Sequence, residues 1–352
     1  MKNSNLYLLY VACFFPFIVS AQDFEWKAGL YNFFDNTEFA NSDYQIDQTM
    51  AGVRFSPTVG LQVDSVHHLF VGIDALKEYG SRNFQDGYTP TAYYFYDGKP
   101  FMFLMGSFPR AGLLDDLPKA FFQDSIYFYR PNITGLLWGY RNNGLNAKVF
   151  LDWTGRITVT DHEAFFMGGD ILYRKNKFFS QFQTYMYHYA GTYSLSGVRD
   201  NGILHAAVGL DLTGITSMDT LSFRLGYLGG IERWREATSS FVVRNGFLGE
   251  VQAGYKNIGL KSTIYFGEGL MAYYYCGLGN ALYWGDPFYR GKFYDRTDVY
   301  YDFFKLSFIS GRLMLSQHFS ENRFFVEQSL IFRVALDQNT KKSEHKTFYG
   351  KE

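Results

Sequence analysis

Charged side chains of both signs occur at alternate positions along much of this 352-residue chain, between apolar neighbours. Alternate residues of a β-strand share one face, so these groups would lie on the same side of a sheet. A buried apolar core would not accept so many charges without partners, whereas a water-filled interior would. The basic members are Lys27, Arg54, Lys148, Arg174, Arg224, Lys256, Lys261, Arg312 and Arg333, and the acidic members are Asp74, Asp152, Asp170, Asp211, Glu250 and Glu327.

The sequence allows two interpretations of these charged rows. Opposed rows of basic and acidic groups produce a transverse field that filters small polar solutes in a channel. Alternatively, the groups pair across the interior and close it. We expect a solvated channel, because about sixteen strands enclose more space than side chains alone can fill. The residues predicted to line it are Arg54, Asp74, Arg110, Asp115, Asp116, Lys119, Lys148, Asp170, Arg224, Glu250, Arg312 and Glu327.

Residues 108–131 form a long connection with internal prolines and charges of both signs. Such a segment can fold inward and narrow a pore, and Arg110, Asp115, Asp116 and Lys119 would then line the constriction. The alternative is an extracellular flap whose charges are solvated. The sequence does not favour either interpretation.

A second long connection, residues 268–297, is unusually aromatic. Nine of the twenty-two residues from Tyr273 to Tyr294 are Tyr, Trp or Phe. These rings either pack on one another and on neighbouring loops as a lid, or form a stacking platform for a sugar ring. In the platform, Trp284 and Tyr289 would supply ring faces, while Asp286 and Arg290 would hydrogen-bond hydroxyls.

Linear catalytic motifs are missing from the sequence. There is no G-x-S-x-G elbow, no H-E-x-x-H helix and no cysteine–histidine cluster. The adjacent His67 and His68 would point to opposite faces of a strand, which makes a poor chelate. We therefore expect no enzymatic activity, no cofactor and no metal site.

The composition excludes several classes of protein. A net charge of −1 provides no basic field for nucleic acid, and 47% hydrophobic residues argue against disorder. Aromatic residues make up 20% of the chain, alongside 35 Gly. This combination suggests many short strands whose apolar faces do not pack on a conventional core.

The first 21 residues have the pattern of an export signal. Lys2 supplies positive charge, residues 6–19 are apolar, and Ser20 and Ala21 offer small residues for cleavage. An apolar run of about 14 residues is too short for a membrane-spanning helix, which needs about 20. The remaining cysteine, Cys276, would have no partner for an intramolecular disulfide.

After this signal no apolar run reaches the ~18 residues of a transmembrane helix, so a membrane-embedded chain must form a closed β-barrel. Dyad alternation of apolar residues and short Asn- or Gly-containing turns predict about sixteen strands. They are expected at 25–33, 47–63, 67–79, 91–96, 100–107, 132–140, 144–153, 164–174, 178–189, 203–213, 220–229, 246–256, 259–267, 298–308, 311–319 and 324–336. Short and long connections alternate, and the long ones would be extracellular.

These features together resemble a porin-type outer-membrane β-barrel of Gram-negative bacteria. The resemblance covers the mature chain but is one of architecture, without a diagnostic motif. It implies an all-β transmembrane antiparallel barrel at 22–337, between a signal peptide at 1–21 and a polar periplasmic tail at 338–352. The chain departs from many such barrels in not ending on an aromatic residue, since it ends at Lys351-Glu352.

The resemblance implies passage of small hydrophilic solutes, including saccharides, across the outer membrane. Outer-membrane lipids and solutes would be the partners, and a homo-oligomer such as a trimer is expected from the resemblance alone. A surface binding or adhesion protein anchored by its barrel is the alternative, and an outer-membrane hydrolase is the third interpretation.

Overall fold

The computed structural model describes residues 22–274 and 281–340. The signal-peptide prediction for residues 1–21 lies outside the described residues. The same is true of Cys276 and of all but residues 338–340 of the predicted tail.

Sixteen β-strands form the described chain. The first eight are β1 Gln22–Glu38, β2 Gln48–Val63, β3 His67–Glu78, β4 Gly87–Gly98, β5 Phe101–Pro109, β6 Asn132–Asn142, β7 Leu145–Gly155 and β8 Ala164–Lys175. The second eight are β9 Phe178–Tyr189, β10 Arg199–Asp211, β11 Thr220–Trp234, β12 Val242–Tyr255, β13 Ile258–Gly267, β14 Phe293–Lys305, β15 Ile309–Ser320 and β16 Arg323–Asp337.

Each strand pairs antiparallel with its neighbours in sequence, and β1 pairs with β16 to close the barrel. The closing register aligns Lys27 with Asp337 and Glu38 with Val326. Closure leaves no unpaired strand edge, which is what lets a sheet satisfy its backbone inside lipid. The predicted all-β transmembrane barrel is therefore confirmed, and the chain is a multi-pass barrel of the outer membrane.

The predicted strands are all present, but several run further toward the long loops than predicted. For example, β1 ends at Glu38, β10 begins at Arg199 and β14 begins at Phe293. The ladder hydrogen bonds continue in these extensions, although the side chains no longer alternate between apolar and polar. The sequence pattern reports the change of side-chain environment, whereas the backbone pairing continues beyond it.

Tight turns join the strands at one rim. Asn143 and Gly144 between β6 and β7 have φ of 46° and 82°, the left-handed conformation that a type I′ hairpin requires. The long connections lie at the other rim, which is extracellular by the general rule for bacterial barrels. The described part of those connections contains three short helices: α1 at Ile126–Tyr129 and two 3₁₀ helices at Ala281–Tyr283 and Pro287–Arg290. Among the described residues, no helix has the length and hydropathy of a membrane span.

Candidate functional site

The connection between β5 and β6, residues 110–131, folds into the barrel and is called the inner loop here. Its apolar side chains Phe121, Phe122 and Ile126 are buried in the same cluster as Phe150 and Phe166 of the barrel wall. The apolar residues of this loop therefore face inner-wall side chains rather than water. The sequence left open whether this segment folds inward or forms an extracellular flap. In the structure the loop lies inside the barrel.

The connection between β13 and β14, residues 268–292, is called the aromatic loop, and its described residues 268–274 and 281–292 also pack inward. Trp284, Phe288 and Tyr289 are at most 2% exposed. The Asp286 amide donates to the Lys119 carbonyl of the inner loop at 2.8 Å. Tyr185 of β9 donates a hydrogen bond to the Tyr283 carbonyl. The two loops thus hold each other in the extracellular half of the lumen.

An ionic cluster lies where the inner loop meets β14 and β16. The buried guanidinium of Arg296 contacts Asp298 at 2.7 Å, Asp124 at 3.1 Å and Glu327 at 3.5 Å. Asp124 also pairs with Lys119. Because Asp124 comes from the inner loop, these ion pairs fasten that loop to the barrel wall.

Burial alone would raise the pKa of the Asp124 carboxyl. The positive charges of Lys119 and Arg296 outweigh this effect and hold the pKa of Asp124 well below its usual range. Asp124 is therefore ionised at neutral pH.

A histidine–carboxylate pair extends this cluster. His318 of β15 places Nε2 3.1 Å from Glu327 Oε2 and Nδ1 2.7 Å from the Tyr294 hydroxyl. The Tyr294 hydroxyl also lies 2.9 Å from Asp286 Oδ2. If Tyr294 donates its one proton to Asp286, it accepts a hydrogen bond from His318 Nδ1–H. A further proton must then lie between His318 Nε2 and the Glu327 carboxylate.

A cavity of about 70 Å³ adjoins this pair and is bordered by Asp35, Lys119, Gln123, Asp124, Arg296, His318 and Glu327. It extends to Ile46 and Gln48, which are exposed at the extracellular rim. Asp35 of β1 is 2% exposed, and its Oδ1 has no hydrogen-bond partner among the described residues. An unpartnered buried acceptor is costly, and the cavity has room for about two water molecules.

The outer wall directly behind Asp35 carries a polar row. Thr49 donates to Asn36 Oδ1 at 2.7 Å, and Asn36 Nδ2 and Gln328 Nε2 donate to Glu38 Oε1 at 3.3 and 3.4 Å. Asn36 lies on the opposite face of β1 from Asp35, because successive strand residues alternate. These polar groups therefore face outward near the extracellular rim.

Most residues predicted to line a pore are paired. Arg54 donates to Asp74 at 2.6 Å, Arg312 to Asp302 at 2.6 Å, and Gln181 to Asp170 at 2.9 Å. The remaining contacts join Arg110 to Asp152, Arg224 to Glu250, Lys148 to the Leu113 carbonyl, Asp115 to Tyr127, and the Asp116 carbonyl to Gln183. These groups lie on inward faces or on the inner loop, and much of their charge is used in contacts across the interior.

The sugar-platform interpretation of the aromatic loop requires a correction. Trp284 and Tyr289 are 2% and 1% exposed, because they pack against other aromatic side chains such as Tyr187 and Tyr265. Asp286 is occupied by the Phe288 amide and by Tyr294. Arg290 stacks on Tyr44 and Tyr274. These side chains offer no accessible pair of ring faces for a sugar.

The sequence matches the model of a family described as Lipid A 3'-O-deacylase-type over residues 20–346. The chain belongs to this family. The match spans the barrel from its first strand to beyond its last. A search of curated proteins finds no match to the sequence.

The expectation of no enzymatic activity is wrong for this member of the deacylase-type family, because the family is one of enzymes. The sequence carries no short catalytic motif, and the expectation was based on that absence. In the structure, acid–base groups from β1, β14, β15, β16 and the inner loop converge on one cavity. A constellation assembled from five distant segments leaves no linear signature.

Solved structures confirm the porin-type architecture of this deacylase-type barrel. OmpT of Vibrio cholerae, in a form lacking loop L8, aligns with a TM-score of 0.53 at 10% identity, covering 90% of this chain and 100% of that one. The anion-selective porin of Comamonas acidovorans aligns with a TM-score of 0.53 at 9% identity, covering 90% and 99%. A mutant porin of Rh. blastica aligns with a TM-score of 0.51 at 9% identity, covering 89% and 100%. At these identities the likeness extends to the fold alone.

The sequence interpretation missed Asp35, Asp124, Arg296 and Asp298 and gave His318 no role. One signal was available, because Arg296 and Asp298 are two residues apart and so share a face of β14. The strand register places Arg296 opposite His318 and Ser316 opposite Glu327.

Within residues 22–274 and 281–340, no group of three or more His, Cys, Asp or Glu is arranged to hold a metal ion.

Proposed function

We propose that this barrel hydrolyses an acyl ester of a lipid A-type glycolipid in the outer leaflet. The family description supports the reaction class. The observation that carries the proposal is the cavity beside His318 and Glu327, where the unpartnered Oδ1 of the Asp35 carboxyl group can hydrogen-bond a water molecule.

In the proposed reaction, Asp35 acts as the general base once its carboxyl, which hydrogen-bonds to Glu327, has lost its proton. A water molecule in the cavity loses a proton to Asp35 as its oxygen attacks the ester carbonyl carbon. The Lys119 ammonium, which borders the cavity, neutralises the negative charge that develops on the carbonyl oxygen. When the bond between the acyl carbon and the sugar oxygen breaks, the proton passes from Asp35 to the leaving sugar alkoxide, so that a fatty acid and a sugar hydroxyl group are formed.

The groups around Asp35 are positioning residues in this proposal. Glu327 lies next to Asp35 and shares a proton with His318 Nε2, while Arg296 balances the charge of Glu327. This arrangement keeps Asp35 beside a charged network that the barrel holds rigidly. A base whose position is fixed by its neighbours needs no reorganisation during the reaction.

The lipid nature of the proposed substrate is supported by the rim. The cavity ends at Ile46, which is 71% exposed, so an ester near the top of the outer leaflet can approach from the rim. Asn36, Glu38, Thr49 and Gln328 face the headgroup region beside it and can hydrogen-bond a sugar or phosphate headgroup.

The test is Asp35→Asn, measured as fatty acid released from lipid A in vesicles holding the purified barrel. We expect at least a hundredfold loss of rate, within the 10² to 10⁴ range that general acid–base groups contribute. Asp170→Asn is the matched control, because Asp170 is also a buried inward carboxylate but bonds to Gln181 on the far wall. Retained hydrolysis in Asp35→Asn, with the barrel folded, would refute the assignment of the base.

Passage of small hydrophilic solutes, including saccharides, is the second candidate. The observation in its favour is that small cavities lie on both sides of the inner loop, one beside Asp35 and Arg296 and one beside Arg54 and Lys27. Deleting residues 110–120 should raise single-channel conductance in planar bilayers if this loop constricts a pore. Unchanged conductance would remove the constriction from the proposal, and a solute-swelling assay would separately test saccharides.

A further inference from the structure

The outer wall of the barrel carries a groove across β8 to β13, away from the ionic cluster. It consists of two adjoining cavities of about 520 and 680 Å³ that share Tyr173, Ser180, Val208 and Leu225. The strand registers align these residues with Gly249 and Ile264 in one continuous row. Six strands at about 4.8 Å spacing give this row a length of roughly 24 Å.

The groove exists because two members of the row are small while its flanks are aromatic. The small residues Ser180 and Gly249 form the floor of the groove. Its flanks are Phe182 and Phe247 on the extracellular side and Phe178 and Phe223 on the periplasmic side. All four phenylalanine side chains are between 41% and 60% exposed. A Cβ built at Gly249 would meet only Leu225 Cδ1, at 3.9 Å.

The periplasmic end of the groove is basic. Lys175 lies at the end of β8 and lines the larger cavity, and the Lys177 ammonium lies 5.6 Å from the centre of the Phe178 ring. Lys175 makes no ion pair with a carboxylate of the described residues. The short turn between β8 and β9 places both lysines at the periplasmic headgroup level.

We propose that this groove binds an anionic glycerophospholipid of the periplasmic leaflet. One acyl chain lies along the row from Tyr173 to Ile264, and the phosphate contacts Lys175. The groove alone gives no strong preference over bulk lipid, because lipid tails are as apolar as the wall. Selectivity for an anionic headgroup therefore comes from the lysines. The lipid is retained in the groove because its acyl chain fits between the aromatic flanks.

This site lies on a different wall from the proposed hydrolytic cavity and does not depend on ester hydrolysis. The test is native mass spectrometry of the purified full-length barrel, released from vesicles with equal dioleoyl phosphatidylglycerol and dioleoyl phosphatidylcholine. We expect retained phosphatidylglycerol to exceed phosphatidylcholine by about fivefold, the preference that one lysine gives near an anionic surface. Lys175→Gln should remove most of that preference.

Gly249→Phe should reduce the retention of both lipids, because the new side chain fills the groove without a backbone clash. Ala28→Phe on the outer face of β1 and Lys305→Gln at the end of β14 are the matched controls, and both should behave as wild type. Heat-modified gel migration shows that each variant is folded. Equal retention of the two lipids, no effect of Gly249→Phe, or a dimer that replaces bound lipid and depends on Gly249 would each overturn the proposal.

Discussion

The two sides of the extracellular half of the lumen are built from different interactions. On the side of β14 to β16 and β1, the inner loop is held by ion pairs between Arg296, Asp124 and Glu327. On the side of β7 to β9, it packs against aromatic rings, including Phe150, Phe166 and Tyr185. The first side is called the ionic wall and the second the aromatic wall.

The difference assigns the proposed hydrolysis to the ionic wall, whereas the aromatic wall contributes mainly to the stability of the barrel. The burial of apolar surface is non-directional, and neighbouring side chains can partly compensate when one ring is changed. Buried charges cannot be compensated in this way, since removing one partner leaves the others unpaired. We therefore expect substitutions in the ionic wall to affect both stability and hydrolysis, and substitutions in the aromatic wall to affect mainly stability.

The largest effect is expected for Arg296→Met. It leaves the buried carboxylates of Asp298 and Glu327, and the partly buried one of Asp124, around an uncharged side chain, at a cost of about 3–5 kcal/mol. Urea titration of the barrel in vesicles should show that loss, and fatty-acid release should fall with it.

Arg312→Met is the control for this prediction. Arg312 also forms a close pair, with Asp302 at 2.6 Å, but its side chain is 45% exposed. Exposed ion pairs contribute at most about 1 kcal/mol. Similar losses for the two arginine variants would mean that burial does not distinguish the ionic wall from other charged positions.

A smaller effect is expected for Trp284→Ala in the aromatic loop, where Trp284 packs against Tyr187 of the aromatic wall. Removing a fully buried tryptophan leaves a cavity, at a cost of about 3 kcal/mol where neighbouring rings relax into it. Because Trp284 contacts Tyr187 and Tyr274 rather than the cavity beside Asp35, hydrolysis per folded barrel should stay within about twofold.

Trp153→Ala on the lipid-facing side of β7 provides the matched control, since Trp153 is 45% exposed. It should cost less than Trp284→Ala in the same urea titration. If Trp284→Ala abolished hydrolysis while the barrel stayed folded, the claim that this aromatic packing serves only stability would be refuted.

The smallest effect concerns pH. The pKa of Asp124 is lower in the folded protein than in the unfolded chain, so its contribution to stability is fully present above the unfolded value, about 4, and is lost as pH falls through the folded value. Docking of the inner loop should therefore be unchanged between about pH 5 and 8. The rate of limited proteolysis within the inner loop, measured across this pH range, reports whether the loop stays docked. Increased cleavage at pH 5 would show that Asp124 does not hold the loop.

The barrel could be predicted from the sequence because its signals are local. Alternation along each strand and short turns such as Asn143-Gly144 are set by the residues themselves. The inward position of Arg54, Asp74 and Glu250 follows from the same alternation, and their burial agrees with it. These properties need no knowledge of which strand lies beside which.

The interior and the site were decided by the tertiary structure. Asp35 and Glu327 are nearly three hundred residues apart in sequence and meet only because β1 pairs with β16. Asp124 reaches Arg296 only because the inner loop turns into the lumen. Charge pairing and loop direction depend on distances across the closed barrel, and a pattern that repeats every two residues along one strand contains no information about those distances.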